Sequence, residues 1–152
     1  MIRYTDYSIV FQEIPDQVTL AVNISGCPNG CPGCHSPWLQ EDVGQPLTED
    51  ELATLLAKYK GAITCVCFMG GDAHPEEVAR LASLVRREAL LAAWYSGKDA
   101  LPESIPEESF DYIKLGPYVA ALGPLSARTT NQRLFRVSRG GLLTDITSRF
   151  WR

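Results

Sequence analysis

Cys27, Cys31 and Cys34 fall within eight residues, with turn-forming Pro28-Asn29-Gly30 in the first gap and Pro32-Gly33 in the second. Such gaps let the backbone wrap a single centre and aim three sulfurs inward. Three thiolates are one ligand short of a closed site, because structural zinc takes four protein ligands and the common iron–sulfur clusters take four thiolates. One metal corner is therefore left for something else. The alternative is a Cys3His zinc site that adds His35 or His74, although His35 follows Cys34 directly and its imidazole would have to fold back sharply to share the ion.

A second group with chemical potential is Gly70-Gly71-Asp72, which follows the apolar run Ile63 to Met69. Glycines let a backbone approach a ligand closely, and an aspartate beside an ammonium makes a charge-assisted contact. The same triplet is also an ordinary turn. Cys65 and Cys67 alternate on a strand and so share a face; they read as small buried hydrophobes. Lys114, late on a short strand, reads equally as a ligand contact or as a solvated cation. Thr130-Asn131-Gln132-Arg133 is polar and clustered, suited to fixing a loop or to meeting a partner.

These residues must be positioned by regular elements. Val18 to Ser25 reads as a strand that delivers the chain into Gly26 and the cysteines. Thr48-Glu49-Asp50-Glu51 reads as a capping box for a helix to about Lys60, with Leu52, Leu55 and Leu56 on one face and Gly61 at its end. A strand over Ile63 to Met69 follows. Pro75, Glu76 and Glu77 open a second helix whose Val78, Leu81, Ala82 and Val85 recur at helical spacing. Ala89 to Tyr95 is a third strand, so the first half reads as βαβαβ with a mostly parallel sheet. Both chemical loops then lie at the carboxyl ends of strands, where ligands bind in α/β folds. Beyond Lys98 the pattern predicts short strands at Tyr112 to Leu115, Leu134 to Val137 and Leu142 to Ile146.

The chain of 152 residues, 45% hydrophobic and 21% charged, predicts one domain over residues 1–152. Neither a signal peptide nor a membrane span is readable, and the cysteine pattern suits a reducing compartment, so the expected location is the cytoplasm. A net charge of −4 argues against a nucleic-acid partner. Arg86-Arg87, following Arg80 on the second helix, read as its solvated last turn, placed well against the helix dipole, rather than as a binding patch.

Taken together, CxxxCxxC after the first strand, the stretch from Gly26 to Pro37, Gly70-Gly71-Asp72, Tyr95-Ser96-Gly97 and Thr130-Asn131-Gln132-Arg133 resemble the activating proteins of anaerobic ribonucleoside-triphosphate reductases. These belong to the radical S-adenosylmethionine (SAM) superfamily. The resemblance implies an α/β fold built as a partial (β/α) barrel, and a [4Fe-4S] cluster on Cys27, Cys31 and Cys34 whose fourth iron binds SAM. It also implies SAM contacts from Gly33, Cys34, His35, Gly70, Gly71 and Asp72, where Asp72 stands in place of the more usual glutamate. The implied activity is reductive cleavage of SAM to a 5′-deoxyadenosyl radical, which takes hydrogen from a glycine of the partner reductase. The implied partners are that reductase and an electron donor such as a reduced flavodoxin. A related enzyme acting on a small molecule, or a zinc-stabilised binding module, are the other readings.

Overall fold

The computed structural model describes residues 2–25, 44–138 and 140–151. In chain order its elements are β1 (Arg3–Val10), β2 (Thr19–Ile24), β3 (Gln45–Pro46), α1 (Glu49–Lys58), β4 (Cys65–Met69), α2 (Pro75–Arg87) and β5 (Leu91–Tyr95). Then come β6 (Tyr112–Leu115), β7 (Arg133–Val137) and β8 (Leu143–Asp145), with 3₁₀ turns over Glu107–Ser109 and Thr147–Phe150.

Both helices start where local chemistry directs. The Thr48 hydroxyl accepts the Glu51 amide at 3.1 Å, capping α1, but the Glu51 carboxylate does not complete the box; it accepts the Tyr4 hydroxyl at 3.0 Å. One helix end is thereby tied to β1. In α2, Pro75 occupies the first turn and Val78, Leu81, Ala82 and Val85 are buried as the spacing predicts. The helix ends because Ala89 turns left-handed at φ 61°, which also delays β5 to Leu91.

The strands form one sheet in the order β3-β1-β2-β4-β5-β6-β7-β8. Its centre, β2-β4-β5-β6, is parallel. Both flanks are antiparallel, which gives three parallel pairings against four antiparallel ones and corrects the expectation of a mostly parallel sheet. For two of these pairings the reason is connection length: β1 to β2 and β7 to β8 are joined by short loops, which can only reverse the chain. The βα rhythm also stops early. Between β5 and β6 no α-helix forms; Ile105 and Phe110 of the Pro- and Glu-rich segment bury themselves instead, with Phe110 stacked on Trp94 at 5.4 Å.

The two faces of the sheet differ. Val22, Ile24, Val66, Phe68, Ala92 and Trp94 pack beneath α1 and α2 in the larger core. Cys65, Cys67, Ala93, Tyr112 and Leu134 point the other way, into a smaller cluster closed by Ile14 from the β1–β2 connection and by Ile146 and Phe150. Cys65 and Cys67 are therefore core residues, as their alternation indicates. Among the described residues no helix is long and apolar enough to cross a membrane.

Candidate functional site

Cys27, Cys31 and Cys34, with Gly33 and His35, lie outside the described residues, but the residues that bracket their segment are held. Ser25, two positions before Cys27, donates its amide to the Arg3 carbonyl at 3.0 Å and its hydroxyl to the same oxygen at 3.3 Å. On the far side the Arg3 guanidinium donates to the Gly44 carbonyl at 3.1 Å. Gly44 has φ +98° and a Cβ there would overlap the Tyr4 carbonyl, so only glycine lets the chain pass so close to β1. The start of β1 thus anchors both ends of the cysteine segment.

Next to Ile24, at the end of β2, stands the glycine turn that ends β4. Gly70 and Gly71 have φ +108° and +89°, and a Cβ on Gly70 would sit 3.0 Å from the Ile24 carbonyl, at the end of β2. The Gly70 amide donates to the Tyr95 carbonyl at 3.0 Å, and its carbonyl accepts the Trp94 indole N–H at 2.6 Å. The turn is locked to β5 by these two bonds and passes close to the end of β2.

Asp72 fastens the next loop. One carboxylate oxygen accepts the Ser96 hydroxyl at 2.5 Å and the other accepts the Gly97 amide at 2.8 Å, while the Ser96 hydroxyl oxygen takes the Lys98 amide at 3.1 Å. Lys114 joins the network from β6: it is 8% exposed and donates to the carbonyls of Ser96 at 3.3 Å and Gly116 at 2.8 Å. Lys114 is thus a buried cation, not the solvated one that is one of its two sequence readings. The loops after β4, β5 and β6 form one hydrogen-bonded rim.

Below that rim, on the sheet face away from the helices, lies an open cleft of about 570 Å³. Met69, Tyr95 and Lys114 from the strand ends line it, opposite Glu13, Tyr118, Leu125 and Phe150. The Tyr95 hydroxyl donates to the Glu13 carbonyl, and the Lys114 ammonium lies 5.9 Å from the Tyr95 ring centre. Burial pushes the Tyr95 phenol well above its ordinary value, so it stays a neutral donor. Burial likewise pushes the Cys65 thiol up to about 12 and Cys67 well above the ordinary thiol value, so neither is a thiolate at neutral pH. A cleft of about 550 Å³ on the helical side has Glu49, Asp50, Glu77 and Arg80 among its described lining residues, a poor seat for an anion.

Of the late polar cluster, Thr130 and Gln132 are buried, and the Thr130 hydroxyl accepts the Gln132 amide at 3.0 Å. The Asn131 side-chain N–H donates to the Pro117 carbonyl at 3.1 Å. These residues fix the loop after β6, and Gln132 reaches the cleft. His74 sits at the start of α2, its amide bonded to the Gly71 carbonyl at 3.0 Å. Sequence reasoning missed Glu13, Met69, Tyr118 and Phe150 as cleft residues; no local pattern marks them, because they converge only through strand register and the returning C-terminal segment.

The residues that flank the three-cysteine segment, Ser25 and Gly44, are both bonded to Arg3, and Cys65 and Cys67 are buried thiols. Among the described residues no group of three His, Cys, Asp or Glu side chains is placed to hold a metal ion, so no competing site is offered there. Residues 17–100, more than half the chain, match the family model described as a 4Fe-4S single cluster domain, and the chain belongs to that family. The matched region contains Cys27, Cys31, Cys34 and Gly70-Gly71-Asp72. No curated protein and no solved structure matches the chain.

Proposed function

We propose that the chain is a radical SAM enzyme that activates an anaerobic ribonucleoside-triphosphate reductase, and that its sheet is a partial (β/α) barrel of that superfamily. The observation that carries this reading is the packing of Gly70 against the end of β2, in a member of a 4Fe-4S family. It sets the strand that leads into CxxxCxxC against the glycine-acid turn. Cys27, Cys31 and Cys34 would hold the cluster and leave one iron open.

The residues present fit SAM. Its carboxylate suits the Lys114 ammonium, and its adenine and thioether suit the Met69, Tyr95 and Phe150 side of the cleft. Gly70-Gly71-Asp72 would orient the methionine amino group, with Asp72 also holding the Ser96-Gly97 loop, while Gly33 and His35 would flank the adenine. When bound, cluster and SAM supply a 5′-deoxyadenosyl radical able to take hydrogen from a glycine. The protein's own work is orientation and exclusion of water. Because the cleft is open, a macromolecular substrate would complete it, and the electron would come from a donor such as a reduced flavodoxin in the cytoplasm.

The test combines anaerobically reconstituted protein with reductant, SAM and the cognate reductase. A glycyl radical signal on the reductase is expected, and Cys27→Ala, Cys31→Ala or Cys34→Ala should each abolish it. SAM cleavage with no radical on the reductase would instead favour a small-molecule substrate.

A further inference from the structure

Gln132 is a polar residue of the cleft whose side chain the fold does not use. It is only 5% exposed, it lines the cleft, and among the described residues no hydrogen bond reaches its side-chain amide. A buried amide without a partner costs free energy unless solvent or a ligand meets it. Among the described residues the unpartnered side-chain atoms sealed from solvent are the Thr19 hydroxyl and the Asn131 carbonyl oxygen, and the Gln132 amide is not with them. The small part of Gln132 that solvent reaches therefore includes the amide, and it opens into the cleft.

The residue that carries this amide is held in place. Its backbone N–H donates to the buried Thr130 hydroxyl at 3.0 Å, and its Cα lies so near Gly116 that a Cβ there would approach to 3.1 Å. Gln132 stands two residues before Leu134, which pairs with Lys114 and packs in the smaller core cluster, so strand alternation puts Gln132 on the cleft face.

We infer that Gln132 is the specificity residue for the adenine of SAM, its side-chain N–H donating to N7 and its side-chain carbonyl accepting from the exocyclic N6 amine; this rests on the SAM binding proposed above. An amide carries one donor and one acceptor side by side, and that pair matches the N6–N7 edge of adenine. A 6-oxopurine presents two acceptors on the same edge. One of them would face the Gln132 carbonyl, leaving a buried polar group unpaired, which is how a hydrogen-bonding site rejects a near-isostere. Met69, Tyr95 and Phe150 supply apolar walls for the flat ring beside it.

The test is equilibrium dialysis of the anaerobically reconstituted chain, without reductant, against SAM and against its 6-oxo analogue, S-inosylmethionine. Wild type should prefer SAM by roughly ten- to a hundredfold, the discrimination that a two-bond amide–base pair gives. Gln132→Met keeps the length of the side chain and removes both polar atoms, so the preference should fall below about threefold with iron content unchanged. Equal wild-type affinity for the two ligands would overturn the inference, a result that needs no variant to fold. An undiminished preference in Gln132→Met would also overturn it while leaving SAM binding standing. Adenosine and inosine separate the site from its ligand: no wild-type binding of SAM, together with a preference for adenosine over inosine that Gln132→Met abolishes, would keep the adenine site and remove SAM as its occupant.

Discussion

Replacing Asp72 by Ala should loosen the loop after β5 before it disturbs anything else. Two hydrogen bonds to the carboxylate are lost, from Ser96 at 2.5 Å and from Gly97 at 2.8 Å. Bonds to charged groups are worth about 1.5–3 kcal/mol each at best, and the partial exposure of Asp72 brings the pair to about 2 kcal/mol in all. Local opening should then rise by a factor of roughly thirty. Native-state hydrogen exchange reads it directly: the Gly97 amide should exchange faster by that factor and the Lys98 amide should follow, because its acceptor is the freed Ser96 hydroxyl. Amides in the middle of α2 should keep their protection. Ser96→Ala removes only one of the two bonds and should give about half the effect, and the double variant should be less than additive because both changes act on one pair. An unchanged Gly97 amide in Asp72→Ala, or full additivity with Ser96→Ala, would refute the clamp.

Four further outcomes follow from the same geometry. Gly71→Ala should cost about 2–4 kcal/mol in denaturant unfolding, because a Cβ would lie 2.6 Å from a Val78 methyl at φ +89°. Gly61→Ala, left-handed at φ +83° but with no neighbour within 4 Å, should cost only about 1 kcal/mol. The Cys65 thiol is raised from 9.0 to about 12 on folding, so between those values the unfolded chain binds fewer protons and stability falls as pH rises. The fall from this group is about 1.4 kcal/mol per pH unit, and Cys65→Ala should flatten the slope by that amount. Lys114→Met strands the carbonyls of Ser96 and Gly116, which should cost about 1–3 kcal/mol and lower SAM affinity measured by equilibrium dialysis while leaving iron content unchanged.

Much of the centre was legible in the sequence because its signals are local. The spacing of Val78, Leu81, Ala82 and Val85, the Thr48 cap and the alternation of Cys65 with Cys67 each depend on neighbours a few residues away. β1 escaped for a physical reason: a register shift between Tyr4 and Asp6 puts Tyr4, Tyr7 and Ile9 on one face, which breaks the two-residue period. The two-residue β3 contains Pro46 and offers no period at all. The bond from Ser96 to Asp72 was equally hidden, since it spans 24 residues and exists only because β4 and β5 lie side by side with Met69 opposite Tyr95. The cleft needed still more, the return of Phe150 across the sheet.

The most direct measurement is iron and sulfide content together with the electron paramagnetic resonance spectrum of the reduced protein, with and without SAM. About four irons and four sulfides per chain, lost in Cys31→Ala, and a spectrum that changes when SAM is added are the predicted result. A colourless protein holding one zinc after anaerobic reconstitution, or a cluster whose spectrum ignores SAM, would contradict the account.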